Sequence, residues 1–222
     1  MRTQLCRLAL LAVLAAPVSA QDTPLPPAAD IATALQRKYD GIRDFTADFT
    51  QRYEGGVLRR KGAPERGTVY VKKPGRMRWN YKAPEEKVFV SDGTRIQLYV
   101  PADKQVIVSD VPADDQATSA VLFLMGKGNL TRDFTVTHGP GATERTYVLR
   151  LDPRKRQAEY DWLQVTIDRS SLQIQELTAG DQQGGRSTFQ FTNFKENSGI
   201  PDKTFAFTPP RGTDIVKSAQ PR

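Results

Sequence analysis

Side chains able to do acid–base or nucleophilic chemistry are few in this chain, and their spacing does not assemble a reaction. The single histidine, His138, precedes Gly139-Pro140-Gly141 at the expected end of a strand, where a histidine is more often a surface residue than a base. Any Ser-His-Asp site would depend wholly on it, and no serine stands in a nucleophile-elbow pattern. Paired acids occur at Glu85-Glu86 and Asp114-Asp115. Both pairs fall at expected turns or caps, and adjacent strand residues point to opposite faces. A glycosidase pair needs two carboxyls facing each other across roughly 5–9 Å, which neither spacing establishes. The one cysteine, Cys6, lies at the extreme N-terminus, so a zinc site is not expected. No phosphate-binding loop and no GxGxxG opening a helix is found. Catalysis, a metal and an organic cofactor are therefore all unexpected.

The informative chemistry is apolar. In Arg76-Met77-Arg78-Trp79-Asn80-Tyr81, the residues Met77, Trp79 and Tyr81 share one face of a strand and the polar residues share the other. Val121, Leu122, Phe123, Leu124 and Met125 are consecutive. As a helix they would be apolar nearly all round, so that helix should be buried or should touch an apolar ligand. The stripe of Met77, Trp79 and Tyr81, with Ile96 and Leu98, reads equally as ordinary core. The basic run Lys72-Lys73-Pro74-Gly75-Arg76-Met77-Arg78-Trp79 superficially resembles a nucleic-acid footprint. The other basic residues are scattered among acids rather than gathered in one stripe. No nucleic-acid partner is expected; attraction to an anionic membrane or an acidic partner fits an exported chain better.

These stripes must be positioned by strands. Residues 28–43 form an amphipathic helix, with Ile31, Leu35, Tyr39 and Ile42 at three- and four-residue spacing and Asp30 suited to the positive end of its dipole. The period then changes to two. Strands are expected at residues 45–53, 68–71, 76–81, 87–90, 95–100 and 105–108, with Asp92-Gly93 a hairpin signal between the fourth and fifth. A second helix is expected over residues 117–125, capped by Asp114 or Asp115 and ended by Gly126. Strands resume at residues 134–137, 147–151, 161–167, 172–177 and 187–194. Turn residues separate them, as at Gly139-Pro140-Gly141, Asp152-Pro153 and Gly184-Gly185. The fold class is mainly β with inserted helices. About eleven strands joined by short turns imply one large, strongly curved antiparallel sheet or a barrel.

The N-terminus sets the compartment. Arg2 and Arg7, the apolar run from Leu8 to Ala16, and Val18-Ser19-Ala20 follow the order of a secretory signal peptide over residues 1–20. The apolar run is too short to span a bilayer, where ~20 residues are needed. Cys6 precedes that run and does not stand at the cleavage point, so it offers no lipid anchor. The mature chain, from about Gln21, has no thiol. Loss of Arg2 and Arg7 lowers the formal charge from +7 to +5. Residues 21–222 read as one domain, with a Pro-rich lead-in at 21–27 and a tail at 213–222 that is a candidate for partial disorder.

Several stretches resemble the LolA family of outer-membrane lipoprotein carriers. They are Phe45-Thr46-Ala47-Asp48-Phe49-Thr50-Gln51, residues 67–81 (GTVYVKKPGRMRWNY), Val90-Ser91-Asp92-Gly93-Thr94 with Leu98-Tyr99-Val100-Pro101, the apolar residues 119–125, and Phe205-Ala206-Phe207-Thr208-Pro209-Pro210-Arg211-Gly212. The resemblance implies an incomplete (unclosed) antiparallel β-barrel of about eleven strands, with a helical lid over an apolar cavity. It implies an acyl-chain cavity lined by Leu35, Phe49, Met77, Trp79, Tyr81, Phe89, Ile96 and Leu98, and a lid carrying Val121, Leu122, Leu124 and Met125. It also implies a periplasmic chaperone that takes triacylated lipoproteins from an inner-membrane ABC transporter complex to an outer-membrane lipoprotein receptor. A monomer is expected. The family commonly has an arginine before the proline of residues 72–74, whose fork bonds lid carbonyls. Here Lys73 is the latch candidate, with a point charge in place of a planar fork. The alternative is a periplasmic binding module for another lipid or glycolipid.

Overall fold

The computed structural model describes residues 25–55, 62–111, 128–157 and 160–217. The expected helix at 117–125, with Val121, Leu122, Leu124 and Met125, and the pair Asp114-Asp115 lie outside the described residues. So do the signal-peptide residues.

Helix α1 spans Ala28–Gly41. Its apolar stripe is fully used: Ile31, Leu35 and Tyr39 are buried, as is Ile42 just beyond its end. The opposite side carries a Gln36–Asp40 hydrogen bond of 2.7 Å at one-turn spacing. A one-turn helix, α2 (Leu130–Asp133), is capped by Asn129, whose side chain accepts from the Thr131 and Arg132 amides. It docks on α1 through buried Leu130, whose amide donates to Gln36 Oε1 at 2.8 Å.

Among the described residues, twelve strands make one sheet. They are β1 (Asp44–Glu54), β2 (Glu65–Lys72), β3 (Arg76–Ala83), β4 (Lys87–Asp92), β5 (Arg95–Val100), β6 (Gln105–Asp110), β7 (Phe134–His138), β8 (Thr146–Pro153), β9 (Trp162–Asp168), β10 (Ile174–Gly180), β11 (Arg186–Glu196) and β12 (Asp214–Lys217). Their order is β12-β6-β5-β4-β3-β2-β1-β11-β10-β9-β8-β7, so among the described residues β7 and β12 are edges and the sheet does not close. The eleven strands expected from period-two patterning all form, in an unclosed antiparallel arrangement. The twelfth arises within the C-terminal tail: Asp214–Lys217 pairs parallel with β6.

Alternation divides the sheet into two faces. The inner face carries Phe45, Ala47 and Phe49 of β1, Val69 and Val71 of β2, Met77 and Trp79 of β3, Phe191 of β11, Leu177 of β10, and Leu163, Val165 and Ile167 of β9. All are buried in one cluster with the α1 stripe and Leu130. The β1–β11 register shifts between Thr46 and Asp48, beside Asn193 at φ 52°. Such a bulge bends and twists a strand pair. Gly67 is obligatory here, since a Cβ would stand 1.9 Å from the Asn80 carbonyl oxygen.

The outer face holds the C-terminal segment. A 3-10 turn at Asp202–Phe205 packs on β3 and β4, with Phe205 buried. Lys72 Nζ donates to the Ile200 carbonyl at 2.8 Å, and Asp202 Oδ1 receives Lys72 at 2.6 Å and Arg76 at 2.7 Å. Arg78 Nη1 donates to the Thr204 carbonyl at 3.2 Å. The basic run with the superficial look of a polyanion footprint therefore spends three of its cations on fastening this segment. Buried Asp44 does similar work at the start of β1, accepting from the Gly199 amide at 3.1 Å and Ser198 Oγ at 3.3 Å.

Candidate apolar ligand site

The eight cavity candidates converge on the inner side of the molecule, in two states of burial. Leu35, Phe49, Met77 and Trp79 are at most 3 % exposed and belong to the packed core. Tyr81, Phe89, Ile96 and Leu98 are half-buried. Register sets Phe89 between Trp79 of β3 and Leu98 of β5, and Leu98 opposite Ile107 of β6. An apolar strip thus continues from the core across β4, β5 and β6, where its side chains retain exposure.

Its floor is aromatic. Trp79 lies 4.7 Å from Phe49 and 5.3 Å from Phe189 in edge-on contacts, and 6.3 Å from Phe191. Tyr81 meets Phe49 at 5.0 Å. Sequence patterning places residues 187–194 in a strand without assigning Phe189 and Phe191 to the site. Their alternation is the available signal, but only the pairing of β11 with β1 brings them to Trp79. Burial, with the Glu65 carboxylate adding to it, pushes the Tyr81 phenol well above its ordinary range. The ring stays neutral, as an apolar site requires.

Lys73 occupies the β2–β3 turn and is half-buried. Its ammonium donates to the Tyr39 carbonyl oxygen at the last turn of α1, where a cation also meets the negative end of the helix dipole. Its backbone amide donates to the Arg43 carbonyl at 2.8 Å. Burial lowers the Lys73 pKa and the Asp40 carboxylate opposes that shift. Tyr39 Oη in turn accepts from the Ile174 amide at 3.3 Å, so the C-terminal turn of α1 is tied to both halves of the sheet.

His138 is exposed on edge strand β7, and Glu85-Glu86 are exposed in the β3–β4 turn. Neither is drawn into the apolar site. Among the described residues no three His, Cys, Asp or Glu side chains gather at metal-binding distance.

An unclosed antiparallel sheet with one apolar face and a helix laid against it defines the class. A crystal structure of an uncharacterized conserved protein from Thermus thermophilus shares this fold, with a TM-score of 0.53 at 11% identity, covering 86% of this chain and 99% of that one. Sequence likeness gives the particular family. The family model described as outer membrane lipoprotein carrier protein LolA matches residues 40–208. An outer-membrane lipoprotein carrier protein of Chromohalobacter salexigens is 29% identical over 211 residues, 95% of each chain. One from Legionella pneumophila (strain Lens) is 30% identical over 187 residues, 84% of this chain and 89% of the relative. The chain belongs to the LolA family of outer membrane lipoprotein carriers.

Proposed function

We propose that this protein is a soluble periplasmic chaperone that shields the acyl chains of triacylated lipoproteins, receiving them from an inner-membrane ABC transporter complex and passing them to an outer-membrane lipoprotein receptor. It acts as a monomer and catalyses no reaction. The observation that carries this reading is the half-exposed apolar strip of Phe89, Ile96 and Leu98, continuous with the aromatic floor at Trp79 in a sheet left open at both edges. A fold needing only a core would cover that strip. Leu35, Phe49, Met77 and Trp79 form the packed end of the same cavity, Tyr81 stands at its margin, and Val121, Leu122, Leu124 and Met125 supply its lid. Lys73 acts as the latch by holding the C-terminal turn of α1, the element that lies over the inner face.

The energetics suit a carrier. Acyl chains gain ~0.8 kcal/mol per buried methylene in a membrane or in a protein cavity alike. Extraction is then close to neutral at best, so a partner must drive loading and the cavity must bind moderately. The test is to purify the full chain from a host envelope and analyse bound lipid by mass spectrometry. Co-purified triacylated lipoprotein is the expected result. Free phospholipid alone would favour a binding module for another lipid. An empty protein unresponsive to an apolar dye would overturn both.

A further inference from the structure

The apolar inner face ends in a belt of polar side chains. One alternation step beyond Phe189, Phe49, Trp79 and Phe89 stand Ser187, Gln51, Tyr81 and Lys87, with Glu65 joining from β2. Gln51 is the register partner of Glu65, and Tyr81 that of Lys87. All five are half-buried. Tyr81 Oη donates to Gln51 Oε1 at 3.1 Å, and Gln51 Nε2 donates to Ser187 Oγ at 3.2 Å. Lys87 pairs with Glu65, and its ammonium lies 4.7 Å from the Tyr81 ring centre. Five adjacent strands, β11-β1-β2-β3-β4, thus contribute to one rim. Among the described residues that rim holds one cation and one anion.

We propose that this belt is a head-group filter, which accepts the uncharged ester and amide carbonyls at the head of an acylated chain and turns away lipids whose head is an anionic phosphate. The inference rests on the reading that acyl chains occupy the inner face. Its physical basis is the pairing of Glu65 with Lys87. A carbonyl oxygen needs only donors, and the ammonium has three protons of which Glu65 occupies part. A phosphate brought to the same place meets Glu65 as closely as Lys87, so attraction and repulsion nearly cancel. Its lost hydration is then uncompensated. Selectivity arises from the repulsive element, as discrimination between similar ligands commonly does. A single lysine without its partner would attract anionic and neutral heads together.

The experiment uses the full chain loaded with an apolar fluorescent dye. Two competitors displace the dye: a synthetic triacylated cysteinyl peptide and phosphatidylglycerol. Glu65→Gln keeps the side-chain shape and gives the rim a net positive charge. It is expected to strengthen phosphatidylglycerol binding roughly tenfold, the scale of one charge a few ångströms away at a hydrated rim whose dielectric is close to that of water, and to move the peptide less than about twofold. Lys87→Gln should weaken phosphatidylglycerol by a similar factor. The double variant Glu65→Gln/Lys87→Gln should return it near the wild-type value, which a merely structural role for Glu65 would not produce. Phosphatidylglycerol binding unchanged in Glu65→Gln, or both competitors shifting together, overturns the filter while leaving the carrier reading intact. Wild-type protein that releases dye to neither competitor overturns the carrier reading, and the filter with it.

Discussion

On the proposed reading, Trp79 is the residue where core and ligand site meet, and its replacement separates the two roles. The indole is 3 % exposed, with Phe49, Phe189 and Phe191 within 6.3 Å and Tyr81 at 6.4 Å. A buried tryptophan removes up to about 250 Å² from water. At about 25 cal/mol per Å² that is on the order of 6 kcal/mol as an upper bound. Measured truncations of buried aromatic residues to alanine cost about 3–5 kcal/mol. Trp79→Ala should therefore lower the melting temperature by roughly 10 °C, given about 2–4 °C per kcal/mol in a domain of this size. Trp79→Glu adds an unpaired buried charge and should unfold the chain outright, so loss of loading by that variant would say nothing about a ligand. Trp79→Phe keeps a ring edge against Phe49 and is the variant to use for function.

The chain has two tryptophans, which gives the assay its control. Trp162 projects on the outer face, with the Arg150 and Arg186 guanidinium groups 4.3 and 5.8 Å from its ring. In Trp162→Phe, all tryptophan emission comes from Trp79. Addition of a triacylated peptide should shift that emission. In Trp79→Phe, the remaining Trp162 should not respond. Urea unfolding that puts Trp79→Ala within about 1 kcal/mol of wild type would refute the packing argument, being far below the usual range for such truncations. A ligand response from Trp162 but none from Trp79 would refute the site.

Two further outcomes follow from single residues. Gly67→Ala should destabilise by about 1–3 kcal/mol or more in chemical denaturation, because the nearest obstacle is the Asn80 backbone at 1.9 Å, which no rotamer change can move aside. Gly41→Ala, where nothing lies within 4 Å, should be neutral or slightly stabilising and serves as its control. Alkaline pH should unfold the protein through Tyr39 and Tyr81, whose phenols burial pushes above the ordinary value of 10.0. The unfolded chain releases these protons near pH 10 while the folded chain retains them, so stability is intact below that pH and falls as pH rises above it. Tyr81→Phe should make that fall shallower in pH-dependent denaturation, and an unchanged slope would remove Tyr81 from the account.

Elements with strong local periodicity were legible in the sequence, and those made by distant pairing were not. The stripe Ile31, Leu35, Tyr39 and Ile42 was enough to place α1, and alternation was enough to place β1 to β11. Strand β12 carries no such signal: its four residues are all exposed and Ile215-Val216 are adjacent, so only the parallel partner at β6 makes it a strand. Helix α2 is too short to show a period. The role of the basic run at residues 72–78 was hidden for the same reason, since its partners Ile200, Asp202 and Thr204 lie more than a hundred residues away. Five of the eight cavity candidates, Met77, Trp79, Tyr81, Ile96 and Leu98, were legible as an apolar stripe, but alternation cannot tell a side chain sealed in core, such as Met77, from one left half-exposed, such as Leu98. That difference depends on what packs over each part of the inner face, as α1 does over the buried cluster.

The placement of α1 also limits how the carrier can work. Ile31, Leu35 and Tyr39 already fill part of the inner face and share one cluster with Leu149, Leu151 and Val165. On the proposed reading, an acyl chain has two places to go. It can lie on the strip over β4, β5 and β6, or it can displace α1 from the cluster. The first costs little and covers few methylenes, leaving the chain short of the ~0.8 kcal/mol per methylene it had in the bilayer. The second opens more surface but exposes the helix stripe and breaks the Lys73 and Ile174 hydrogen bonds that hold Tyr39. Either way the bound state is less favourable than the membrane. A carrier placed between two membranes needs that property, because a ligand held more tightly than lipid holds it would not be released.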